Sequence, residues 1–118
     1  MAGLVAAGAN LMLSGFTGTA TYVSLHTADP STGGANEVTG GSYTRELAAW
    51  GSPSAGSVAN ATDVVFDVPG STTITHIGYW SASSAGTFYG SRALDAQQAY
   101  ATDGTYTIAA GNLSESVS

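Results

Sequence analysis

The sequence predicts an all-β protein, an antiparallel β-sandwich or jelly-roll-like domain with a short N-terminal helix. Three observations lead there. Short runs of alternating or β-branched residues follow one another, each bounded by Gly, Ser, Asn or Pro. No segment alternates strands with long helices, which removes a nucleotide-binding α/β fold. No heptad, internal repeat or linker divides the chain, so residues 1–118 read as a single domain, with a helix over 1–15 and a sandwich over 20–118.

The helix is expected over residues 2–14. Leu4, Val5, Ala7, Leu11 and Met12 fit an i, i+3, i+4, i+7 stripe, and Gly15 is placed to stop it. Gly3 and Gly8 weaken that helix, so its stripe needs packing against the sheet or a neighbouring subunit. From Thr21 to Thr27 the residues alternate, Val23 and Leu25 on one face and Tyr22, Ser24 and His26 on the other. A polar loop over 28–42 follows, and then a strand within 43–50 with Leu47 inward. Residues 57–60 and 63–68 read as short strands around a turn at Asn60–Asp63, with Val64, Phe66 and Val68 on one face. The strongest strand is "TTITHIGYWSA", residues 72–82, apolar or aromatic on both faces and hence central. "SSAG" at 83–86 is a hairpin connection to a return strand at 87–94. Residues 105–111 and 112–117 close the chain, with Tyr106, Ile108, Leu113 and Val117 inward.

Composition narrows the function. Charged residues make up only 8%, Arg45 and Arg92 are the only cations, lysine is absent, and the formal net charge is -6. Nucleic acid is not an expected partner, because phosphate neutralisation needs clustered Lys or Arg. A membrane is not expected either: anionic lipid would be repelled, and the apolar N-terminus lacks a basic flank and the length to span a bilayer. With no cysteine, neither disulfides nor thiolate metal sites are available. A surface so poor in charge suits a subunit covered by neighbours.

Reactive constellations are sparse. His26 and His76 are the only imidazoles, and a metal site from His26, His76 and Asp29 requires their strands to be neighbours. No serine sits in a G-x-S-x-G elbow. The Gly-rich stretches at 31–34 and 51–56 neither precede a Lys nor open a helix, so they read as turns. Asp29 is suited to bond a backbone N–H two residues on, and each Arg to pair with a carboxylate or a carbonyl. Trp50, Trp80, Tyr79, Phe88 and Tyr89 read as core and cross-strand partners; Tyr43, Tyr100 and Tyr106, near loops, are the candidates for a sugar platform. No catalytic, cofactor-binding or metal-binding residue is assigned, and no cofactor is expected.

The segments "YVSLHTADPSTGGANEVTGGSYTREL", "GSVANATDVVFDVP", "ITHIGYWSASSAGTFYGSRAL" and "YTIAAGNL", in this order, resemble a family of small virion proteins of tailed phages, common among phages of actinobacteria. The "LHTADP" strand–loop and the "THIG-W" strand behind a short helix carry the resemblance along nearly the whole chain. Members are variously labelled head decoration, minor tail or tail fibre proteins. The resemblance implies a non-enzymatic structural component of the virion, assembled in the host cytoplasm. The leading expectation is a capsid-surface decoration (minor capsid) protein that stabilises the shell, because the chain lacks the repeats or coiled coil of a fibre shaft. A tail component is the alternative, followed by a glycan-binding host-recognition module; a small hydrolase is the remotest. The expected partners are copies of the chain in a homo-oligomer such as a trimer, and the major capsid or tail proteins. The helix, the 28–42 loop and the C-terminal strand are the expected contact elements.

Overall fold

A computed structural model describes residues 6–116. Among them stand helix α1 (Ala6–Thr19) and strands β1 (Tyr22–His26), β2 (Glu46–Leu47), β3 (Ser57–Ala59), β4 (Val64–Val68), β5 (Thr72–Trp80), β6 (Phe88–Tyr100), β7 (Gly104–Ile108) and β8 (Ser114–Ser116). Every pairing is antiparallel, and the protein is an all-β sandwich. One sheet has four strands in the order β2-β1-β5-β6; β3 pairs with β8, and β4 with β7.

One apolar cluster joins the four-stranded sheet to the β4–β7 pair. Val23 and Leu25 of β1, Val64, Phe66 and Val68 of β4, Ile74, Ile77 and Tyr79 of β5, and Ile108 and Leu113 are all buried in it. The period of two does the sorting: Val65 and Asp67 alternate outward from β4, while Val64, Phe66 and Val68 turn in. β5 is central, with β1 on one side and β6 on the other, as its doubly apolar faces require. The β5–β6 turn uses left-handed backbone at Ala85 and Gly86, and the Ser81 hydroxyl accepts the Thr87 N–H at 2.9 Å. No helix among the described residues is long and apolar enough to cross a membrane.

Four expectations need correction. The helix does not stop at residue 15: it runs through Gly15 and Gly18 to Thr19, where the Ala20 N–H still reaches the Phe16 carbonyl at 2.7 Å. A Cβ at either glycine would meet open space, so neither position is held to glycine by a close neighbour. Its inward residues are Leu13 and Phe16, whereas Met12 is 46% exposed. Leu4, Val5 and Val117, and the side chains of Ala7 and Leu11, lie outside the described residues.

Leu47 is likewise exposed, at 61%. β2 pairs Leu47 with Tyr22, and the Ala48 N–H then bonds the Thr21 carbonyl, so the one-residue register turns Ala48 inward instead. β3 and β4 flank the turn as expected, and each finds its partner near the C-terminus. The return strand β6 continues six residues past Leu94, to Tyr100.

Candidate functional site

Directly paired residues of β1 and β5 share a face, which gathers Ser24, His26, Gly78 and Trp80 on one side of the sheet. The polar loop folds back over them. Val38 N–H bonds the Leu25 carbonyl at 2.9 Å, Thr27 N–H bonds the Asn36 carbonyl at 3.0 Å, and Pro30 is buried. The predicted Asp29 turn forms, its carboxylate accepting the Ser31 N–H at 2.8 Å. Ser24 and His26, assigned by alternation to the face away from Val23 and Leu25, are therefore both 0% exposed.

Beneath the loop lies a chain of hydrogen bonds. The Ala35 carbonyl only accepts, so His26 carries its proton on Nδ1 and donates across 2.7 Å. Nε2 is then the acceptor for the Ser24 hydroxyl at 2.6 Å, and Ser24 Oγ in turn accepts the Trp80 indole N–H at 2.9 Å. Burial holds the His26 pKa below its ordinary value, the Ala35 bond and Glu37 opposing that shift only in part. A Cβ on Gly78 would stand 2.7 Å from both Ser24 Oγ and His26 Nε2. At Gly34, where φ is +76°, it would lie 2.4 Å from the Trp80 ring. Both positions need glycine for close approach.

Arg45 locks the loop from above. Nε and Nη2 grip the two oxygens of Glu37, each at 3.0 Å, while Nη1 donates to the carbonyls of Ala82 at 3.0 Å and Ala85 at 2.8 Å. Its guanidinium lies 3.6 Å over the Trp80 ring. Glu37 also accepts the Tyr43 hydroxyl at 2.8 Å, whose oxygen receives the Leu25 N–H. Burial raises the Tyr43 pKa, and Glu37 adds to the effect.

This network brings a serine and a histidine together, yet it builds no nucleophile. The Ser24 oxygen already donates and accepts, no carboxylate orients His26 Nδ1, and neither side chain meets solvent. His76 does pair across the strands with His26, but its Nδ1 is engaged by Thr75 at 2.8 Å, and both His26 nitrogens are taken. No group of three or more His, Asp or Glu among the described residues is placed to hold a metal ion.

A second hub escaped sequence reasoning. Asn60 donates to the carbonyls of Thr62, Ile108 and Ala109, and its Oδ1 accepts the Gly111 and Leu113 N–H groups. It ties the β3–β4 turn to the β7–β8 turn. Its place among turn residues was the sole signal in the chain. Arg92 bonds the Ser114 carbonyl and lies 3.6 Å from Glu115, so both cations have the carboxylate and carbonyl partners anticipated for them.

The aromatics divide similarly. Phe16, Trp50 and Tyr79 form one cluster, and Trp80 and Phe88 another. Tyr43 is used by the loop, whereas Tyr100 and Tyr106 remain half-buried and Tyr89 is 45% exposed.

Two surface features are left over. A groove of about 310 Å³ runs between α1 and β6, floored by Leu13, Phe16 and Tyr79 and rimmed by Met12 and Tyr89. β6 itself is the edge of its sheet, mostly exposed along its 13 residues. Its far side carries no strand among the described residues. Such an edge offers unpaired N–H and C=O groups to a neighbour's strand.

The family model described as podophage GP4 fiber I protein gp80 matches residues 7–116. No curated protein matches the chain. The chain therefore belongs to the podophage GP4 fiber I protein gp80 family and is a structural protein of a phage.

Proposed function

We propose that this chain is a non-enzymatic subunit of the fibre or tail apparatus of a tailed phage. The observation that carries the reading is the family match along residues 7–116, whose description names a fibre. It favours the tail alternative over the capsid decoration that the compact sequence suggested first. The network beneath the loop agrees with a structural role: Ser24, His26 and Arg45 spend their hydrogen bonds on holding residues 27–45 against the sheet.

The subunit acts by contact with copies of itself and with other tail proteins, as one domain of a homo-oligomer. Nucleic acid and membrane are not among its partners, in keeping with its two cations and net charge of -6. The exposed β6 edge and the Met12–Tyr89 groove are the surfaces we assign to the contact with a second copy. A charge-poor surface with a free strand edge favours association over solvation.

Gold-labelled antibody against the chain, imaged on intact virions, tests the location. Label on the tail or its fibres is the expected result. Label distributed over the capsid faces, or absent from virions, overturns it.

A further inference from the structure

A cleft of about 440 Å³ opens between β6 and β7. The register of the β5–β6 hairpin creates it. Ile74 faces Gln98 and His76 faces Ala93, which leaves residues 94–97 of β6 opposite Thr75 alone. Strand irregularities of this kind re-aim side chains and recur beside binding sites. The floor is apolar, from the buried Ile77, Ile108 and Leu113. The walls carry Arg92, Asp95 and Gln98 from β6, Tyr106 and Thr107 from β7, and Asn112 from the turn before β8. All of these except the half-buried Tyr106 are exposed.

We propose that this cleft binds a neutral saccharide, a property that goes beyond assembly of the fibre. Its volume suits a small ligand. The amides of Gln98 and Asn112, the Asp95 carboxylate and the Tyr106 and Thr107 hydroxyls supply both donors and acceptors, the chemistry that reads a ring of hydroxyls. An aliphatic floor with an aromatic ring at its side receives the C–H face of a sugar. Asp95 balances Arg92, and Arg92 is already committed to Glu115 and the Ser114 carbonyl, so the cleft offers no excess positive charge to an anion. Of the three tyrosines that stood as sugar-platform candidates, Tyr106 is the one that lines this cleft.

The test is an amide chemical-shift titration of the full chain with glucose, galactose, mannose, N-acetylglucosamine, maltose and lactose. At least one sugar is expected to move amides of residues 92–98, 106–107 and 112 while leaving α1 unmoved. Asp95→Ala and Asn112→Ala should each weaken that binding about tenfold, with melting temperatures unchanged because both side chains are exposed. Met12→Glu, on the groove outside the cleft, should leave it intact. The proposal is overturned if no sugar of the panel moves these amides, if binding survives both cleft variants, or if inorganic phosphate or an extended peptide moves them and the sugars do not. The titration uses the isolated chain, so its outcome is independent of where the antibody label falls on the virion.

Discussion

At Trp80 three different forces meet in one side chain: indole burial, a hydrogen bond to Ser24, and the guanidinium of Arg45 stacked on the ring. Trp80→Ala should destabilise the fold by about 3–5 kcal/mol in chemical denaturation, the usual cost of emptying a large aromatic site. A near-zero change would mean that the ring does not support the loop. Arg45→Ala should cost about 3 kcal/mol, the low end for a broken buried pair, because Glu37 keeps some contact with water. Arg45→Lys should recover only part of that loss, since an ammonium cannot span both Glu37 oxygens and stack on Trp80.

His26 predicts a pH dependence. Its folded pKa lies below the ordinary 6.5, so the folded state keeps it neutral while an unfolded chain takes up a proton as pH falls through 6.5. The unfolded state then binds more protons, and stability drops as pH falls from 6.5 toward the depressed folded value. Urea midpoints measured from pH 7.5 down to 5 should decline, and less steeply in His26→Gln. An equal slope in the variant would show that another group governs the acid response.

At the level of elements, legibility followed the range of the forces. β5 was readable because its two apolar faces and flanking turns are local facts, and the alternation of β1 and β4 fixed their inward residues for the same reason. The face of Leu47 was not readable. A two-residue strand has no periodicity of its own, and its register is set by Tyr22 and Val23, more than twenty positions away. The end of α1 was misjudged because Gly15 is a stop signal only when the chain turns there, and Phe16 instead carries the helix on into contact with Trp50 and Tyr79.

Asn60 and the loop-locking part of Arg45 shared a different obstacle. The Gly111 and Leu113 amides that Asn60 accepts and the Ala82 and Ala85 carbonyls that Arg45 reaches lie far along the chain, and nothing in the local sequence names them. Asn60→Ala, which strands the amide of Leu113 and removes the bonds its side chain gave the carbonyls of Thr62 and Ala109, should cost about 3 kcal/mol by thermal or chemical unfolding. α1 also proves to be part of the core: Leu13 is buried and Asn10 accepts the Gly56 N–H at 2.9 Å. A docking role for this helix is thus better probed at exposed Met12 than by deletion, which would remove core along with surface.

For the molecule as a whole, polar groups are turned inward to brace a loop while the outer surface holds little charge and, among the described residues, an unpaired strand edge. That distribution is unfavourable for a solitary soluble protein and suited to one shared among neighbours. The central claim is that this fold works by touching copies of itself and adjoining tail proteins. Sedimentation equilibrium of the purified chain tests it most directly. The account predicts a mass that is a multiple of 11.7 kDa and that falls toward the monomer in Met12→Glu and Tyr89→Glu without loss of β-structure. A strictly monomeric wild-type chain at every concentration would contradict it.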